Sequence, residues 1–160
     1  MKIRTAKMGD LKELTKVEAQ CFPQQEAASK EVLRERLSVY PDHFWILEED
    51  GQILSFINGM VTDEAKIRDE MFAEAHLHRL DGRWQAIFGV DTLPGYQKRG
   101  FASLLMEQVI ADAKIQGREG CILTCKERLL PFYERFGYVN EGVSQSVHGG
   151  AMWYDMRLSF

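Results

Sequence analysis

Hydrophobic residues recur along this chain with two different periods, and the switches between them lay out the expected elements. Residues 2–7 alternate in the manner of a short first strand. Leu11, Leu14 and Val17 then fall on one helix face, with Asp10 expected as its cap and Glu13 at the capping-box position. The chain breaks at Phe22-Pro23. Ser29 stands where it would cap a second helix, which carries Val32, Leu33 and Leu37 and ends before Pro41. Residues 44–48 read as a strand, Asp50-Gly51 as a tight hairpin turn, and residues 53–61 as the returning partner. Their unbroken apolar runs predict burial on both faces, and Gly59 predicts a bulge or a close backbone approach.

Residues 62–81 break this rhythm. They are rich in charge, with Ile67, Met71, Phe72 and Leu77 spaced like a helix face, and are expected to form an insertion with one helix near a pocket mouth. Residues 84–91 form the next strand, irregular at Gly89 in the way of a bulge. A helix follows from Gly100 to about Gln116, its apolar side expected through Leu104, Leu105 and Val109, with Gly117 as its stop. The remaining pattern is a strand at 122–125, a short helix within 129–136, a strand at 138–141, a glycine-rich loop at 147–151 and a last strand at 152–158.

Composition narrows the class. A chain of 160 residues with 45% apolar and 28% charged residues suits one soluble domain spanning 1–160. A net charge of -4 speaks against a general nucleic-acid surface. No apolar run approaches a membrane span and no signal peptide is read at the N-terminus, so no membrane partner is expected. Three cysteines make no disulfide framework, which points to the cytoplasm, and either a monomer or a homodimer is expected. His76 and His78 lack a third ligand at sensible spacing, so hydrogen-bonded or surface histidine is the expectation and no metal. Cys121 and Cys125 share a strand face and read as packing residues.

The chemistry gathers in residues 87–106. An apolar strand runs into a loop with Pro94 and Gly95, then a basic turn of Lys98 and Arg99 closed by Gly100, then a helix. A helix start presents N–H groups without intrahelical partners and a partial positive charge, which suits a phosphate. Neither G-x-x-x-x-G-K-[ST] nor G-x-G-x-x-G is present; what stands there is Q-x-x-G-x-A, from Gln97, Gly100 and Ala102. This resembles the acetyl-CoA motif of the GNAT N-acetyltransferase superfamily. A second run, Leu129-Leu130-Pro131-Phe132-Tyr133-Glu134-Arg135-Phe136-Gly137-Tyr138, is similar to the end of the same superfamily's core. The part from Leu130 to Phe136 resembles the serotonin (arylalkylamine) N-acetyltransferases, as does Leu77-His78-Arg79 followed by Gly82. Cys21-Phe22-Pro23 with Glu26-Ala27-Ala28-Ser29 is similar to a segment of their microbial relatives.

The resemblance implies an α/β (mixed α+β) GNAT fold: a central, mostly antiparallel mixed sheet with a splayed parallel strand pair, flanked by helices. It implies acetyl-CoA as co-substrate and a small-molecule primary amine as acceptor, with no metal. Tyr133 is implied as general acid and the Val90 N–H as the oxyanion donor. Phe88, Gly89, Val90, Gln97, Lys98, Arg99, Gly100, Phe101, Ala102, Ser103, Thr124, Phe132, Tyr133 and Arg135 are implied on the CoA side. Cys21, Phe22, Pro23 and Glu26 are candidates for the acceptor pocket, or else a helix terminus packing on the core; His148, Trp153 and Tyr154 could approach it, and core packing explains the two aromatics equally well. The relay histidines of the animal enzymes fall on Ala86 and Phe88, so the amine proton is expected to leave to a base, with Glu26 and Asp91 nominated, or along a water chain ending in bulk solvent. A CoA-binding sensor or interaction module with little catalysis is the alternative.

Overall fold

One stretch of chain builds two sheets. In the computed structural model, which describes residues 1–160, β1 (Lys2–Thr5), β2 (Phe44–Glu49), β3 (Gln52–Asn58) and β6 (Gly89–Thr92) form an antiparallel sheet in that order. The second sheet has the order β4 (Val61–Thr62), β5 (Trp84–Ile87), β7 (Gly120–Cys125), β9 (Tyr154–Ser159) and β8 (Val139–Val143). Only β5 and β7 run parallel, in register from Trp84 opposite Gly120 to Ile87 opposite Leu123. At Phe88 the chain changes sheets: its N–H donates to Asn58 O at 2.8 Å, and β6 continues along β3. Past Ile87 the parallel pair therefore parts, which is the splay anticipated for this fold.

The helices α1 (Leu11–Cys21), α2 (Lys30–Val39), α3 (Glu70–Ala73), α4 (Phe101–Ile115) and α5 (Leu130–Glu134) flank the sheets. One continuous core joins them, with Leu14, Leu33, Phe56, Ile57, Leu105 and Val109 wholly buried. Helix α4 packs on β2 and β3, where Trp45 Nε1 donates to Asp112 at 2.8 Å. Its buried stripe runs Phe101, Leu105, Val109, Ala113 at four-residue steps, joined by Met106. Leu104 lies off that stripe and is 44% exposed, contrary to the expected face.

Three further expectations are corrected. Asp10 does not cap α1. It closes the preceding 3-10 turn, accepting from the Lys7 N–H at 2.9 Å, and takes the Arg4 guanidinium at 2.8 and 2.9 Å. The charge-assisted fork outcompetes a cap contact, and Glu13 turns instead to the Ile53 N–H at 2.7 Å. The return strand expected over 53–61 is two strands, β3 and β4. A Cβ on Gly59 would stand 1.8 Å from Ala86 O, so the backbones meet there and the ladder breaks. The insertion over 62–81 holds only the four-residue α3 and a 3-10 turn at Ala75–Leu77. Ser29 caps α2 as expected, accepting from the Val32 N–H at 3.2 Å.

Candidate active site

The groove in front of α4 comes from backbone geometry. Gly100 takes φ 81° immediately before the helix, a left-handed torsion that a side chain strains, and open space lies beyond its Cα. The first N–H groups of α4 thus face a free approach. Val90, Gln97, Lys98, Gly100, Phe101, Ala102, Ser103, Phe132, Tyr133 and Arg135 line this groove, together with Thr92, Tyr96 and Leu129. Arg99 stays outside it. Its guanidinium covers the Tyr96 ring at 5.2 Å and Nη2 donates to Gly95 O at 3.4 Å.

A second cavity lies on the other side of the splay, walled by Phe22, Glu26, Phe72, Phe88, His148 and Trp153, with Glu18, Gly89, Thr124 and Cys125 also at its surface. The two cavities share Val90, Leu129 and Tyr133. Val90 pairs opposite Ile57, and the Leu93 N–H donates to Leu54 O at 2.9 Å. Antiparallel alternation then turns the Val90 N–H away from β3 and into the gap. Phe88, Gly89 and Thr124, expected on the CoA side, stand in the second cavity. Phe22 and Glu26 reach it, whereas Cys21 and Pro23 do not line it; the Cys21 thiol donates to Thr92 O at 3.3 Å. Tyr154 also stays off its wall, its hydroxyl donating to Glu127 at 3.1 Å.

Three loops lock this second cavity. His148 stacks on Phe72 with ring centroids 4.5 Å apart, and its Nε2 lies 2.9 Å from Glu26 O. That contact makes Nε2 the protonated nitrogen, because a carbonyl only accepts. Trp153 Nε1 donates to His148 O at 2.8 Å. Glu26 is engaged by Lys126 at 2.8 Å, so it is a structural ion pair rather than a free base. Glu18 escaped the sequence reading, and Phe72 was read only as part of the helix face of the insertion near the pocket mouth. Glu18 carries a signal nonetheless: it is an acidic residue in helical register with Leu14 and Cys21.

Burial controls the ionisable groups here. It pushes the Tyr133 phenol above its ordinary value, with Cys125 and Asp91 adding to the shift, so the hydroxyl keeps its proton. It pushes the Cys125 thiol up to about 11, which leaves little thiolate for an acyl-enzyme route. Asp91 is raised well above the carboxylate range, first by complete burial and then by Glu18 beside it. No three His, Cys, Asp or Glu side chains come together as a metal site, and no helix is long and apolar enough to cross a membrane.

The model of the acetyltransferase (GNAT) family matches residues 11–138. The chain belongs to the GNAT family. This GNAT protein is 25% identical over 112 residues to the serotonin N-acetyltransferase of Mesocricetus auratus, covering 69% of the present chain and 53% of that enzyme. The chain thus spans about half the length of the curated relative it matches. Among solved structures, it is similar to the GphF GNAT-like decarboxylase in complex with isobutyryl-CoA, with TM-score 0.86, 22% identity and 99% of both chains covered. It is also similar to a GNAT acetyltransferase of Brucella melitensis in complex with acetyl-CoA, with TM-score 0.62, 21% identity and 99% and 87% covered. The present protein has the mixed two-sheet fold that these GNAT neighbours share.

Proposed function

We propose that the protein transfers an acetyl group from acetyl-CoA to a small primary amine within a ternary complex. The observation that carries this reading is the junction of the two cavities at Val90 and Tyr133. One cavity opens on the N-terminus of α4 with Lys98 and Arg135 at hand, a setting for the pyrophosphate of a CoA. The pantetheine arm runs from there into the splay, toward the freed edges of β6 and β7. The amine enters from the aromatic cavity, and holding both reactants in one gap supplies much of the rate. As the amine attacks, the Val90 N–H meets the developing oxyanion. The departing sulfur takes its proton from Tyr133.

The second cavity favours a cation. Its ionisable lining includes Glu18 and Glu26, and the one lysine beside it, Lys126, is committed to Glu26. Phe22, Phe72, Phe88 and Trp153 give it an aromatic lining for the ring of an arylalkylamine, with Arg36 already over Phe88 at 5.0 Å and Lys126 over Trp153 at 5.6 Å. Such a lining suits an arylalkylamine better than a carboxylate. The reducing cytoplasm fits the three free cysteines, two of them buried.

The test is a panel of arylalkylamines, polyamines and peptide N-termini given acetyl-CoA, with free thiol and the mass of the product followed together. Thiol release matched by acetylated amine supports the reading. Tight CoA binding with no acetylated product from any amine overturns it and favours a CoA sensor.

A further inference from the structure

Five buried polar atoms near the break between β5 and β6 have no hydrogen-bond partner: Glu18 Oε1, both carboxyl oxygens of Asp91, Asn58 Nδ2 and Arg36 Nε. Three of them converge on one face of Gly89. A Cβ placed there would stand 3.0 Å from Asp91 Oδ1, 3.3 Å from Asn58 Nδ2 and 3.7 Å from Glu18 Oε1. Asp91 and Asn58 are 0% exposed and Glu18 5%. Buried polar groups left unpaired are costly, so such a cluster is explained by something that fills it. Burial and the neighbouring Glu18 hold Asp91 well above the carboxylate range, so its carboxyl keeps a proton that it can offer to Glu18 Oε1.

Glu18 reaches the aromatic cavity while Asp91 lies beneath it. Glu18 is also fixed in place, since its Oε2 accepts from the Ala28 N–H at 2.9 Å. Its other oxygen, Oε1, is the one turned toward Asp91 and Asn58 over Gly89. Glu26, the other carboxylate of the cavity, is held by Lys126. We propose that Glu18 accepts the ammonium proton of the acceptor amine on the cavity floor, and that Asp91 is its positioning residue, the two carboxyls being bridged by a single proton.

This rests on the amine reading above and supplies the base that it lacks. The incoming R–NH3+ gives one proton to the carboxyl pair and becomes R–NH2. Its lone pair forms the C–N bond as the C–S bond breaks. The sulfur keeps the electron pair of that bond and takes the Tyr133 proton. The second proton lost by nitrogen restores the phenol through solvent, and the proton on the pair returns to bulk water. The charges and protons facing the pair are Cys21 from α1, Arg36 from α2 and Tyr133 from α5. Arg36 is neutralised by no carboxylate. It donates to Asn58 Oδ1 at 2.9 Å and to Phe72 O at 2.8 Å, so its charge offsets the single negative charge of the bridged pair.

Two isosteric variants and two readouts test this. Infrared spectroscopy of the free enzyme at neutral pH should show the C=O stretch of one protonated carboxyl group, lost in Asp91→Asn. Its absence from the wild type overturns the shared proton whatever the protein acetylates. With tryptamine and acetyl-CoA, or the best amine of the panel, Glu18→Gln should lower kcat/KM by ~10²-fold or more, the range of a lost general base. CoA affinity by calorimetry should stay unchanged. Asp91→Asn should keep more activity than Glu18→Gln and move the acid limb of kcat/KM, because the carboxyl that shares the proton is gone. Loss of activity with an unmoved acid limb would mean a structural role only and overturns the proposal. If amines are acetylated and both variants keep the wild-type profile, the reaction stands and the proposal falls. If no amine is acetylated, both fall, and the infrared band alone distinguishes a bridged pair from two separate acids.

Discussion

The two sides of the site are made of different material. The groove before α4 takes most of its lining from one stretch, residues 90–103, with Gly100 holding a torsion and the helix start supplying donors, and the rest from residues 129–135. The aromatic cavity is made of side chains from remote segments: Glu18 and Phe22 from the end of α1, Phe72 from α3, Phe88 from the strand break, and His148 and Trp153 from the late loop. A backbone groove recognises what every CoA shares, its pyrophosphate and pantetheine. A side-chain cavity can change its occupant by changing single residues, without disturbing the sheets. The division predicts that variants on the two sides act on different substrates, with the shared Val90, Leu129 and Tyr133 answering to both.

The largest effect is expected at that junction. Tyr133→Phe keeps the ring packed against Phe132 and Tyr138 and removes only the hydroxyl. As general acid its loss should cost kcat ~10²-fold or more, with CoA binding and folding nearly intact. The alkaline limb of kcat should change as well, and in the wild type burial places it above the ordinary phenol range. A folded variant with wild-type kcat would show that the thiolate leaves unassisted. Next comes Gly100→Val, which forces a β-branched residue to φ 81°. With strain on the order of 1–3 kcal/mol, it should weaken acyl-CoA binding by about tenfold for any amine. Arg99→Glu should do much less, because Arg99 lies on Tyr96 outside the groove. Equal losses from the two would blur the division between backbone and side-chain recognition.

The same division explains what could be read in advance. Gln97, Lys98, Gly100, Phe101, Ala102 and Ser103 are neighbours in sequence, so a local pattern carried them into the groove together. The splay was legible because the family pattern fixes which two strands flank it. Phe72 carried no such signal. Its place depends on Asp69 accepting from the Val147 N–H at 3.1 Å, a contact between residues 78 apart. Leu104 was misassigned because a helix stripe drifts with the true start of the helix, here Phe101. Arg99 was placed by charge alone, and the Tyr96 ring beside it was the competing partner.

A smaller effect is expected on the acceptor side. Phe72→Ala removes a ring that stacks on His148 at 4.5 Å and meets Phe88 at 5.1 Å. The amine KM should rise several-fold, about the 1 kcal/mol that one aromatic pair contributes, while the acetyl-CoA KM stays put. A change in the acetyl-CoA KM alone would place Phe72 on the wrong side.

The smallest effect separates the two sides by stability rather than turnover. The segment that delivers Phe72 rests on a buried histidine, His43, and a half-buried one, His78. His78 Nδ1 accepts from the Val61 N–H at 3.0 Å, and the His43 ring lies 5.2 Å away with its Nδ1 2.9 Å from Gln85 Oε1. Burial lowers both, His78 down to about 4 from its ordinary 6.5, with the neighbouring His43 adding to the shift. The folded state therefore binds fewer protons than the unfolded chain in this interval, and stability must rise with pH. The contribution is complete above pH 6.5 and is lost as the pH falls through about 4. Protonating His78 also removes the acceptor of the Val61 N–H and puts charge beside His43. Helix α4 carries no histidine. Amides of residues 59–88 should therefore lose hydrogen-exchange protection between pH 6.5 and 4 before those of α4, once intrinsic exchange rates are corrected. His78→Asn should flatten that pH dependence and lower the plateau only modestly. If α4 and the 59–88 segment lose protection together over this interval, the two sides of the site open as one cooperative unit and the division holds for chemistry but not for stability.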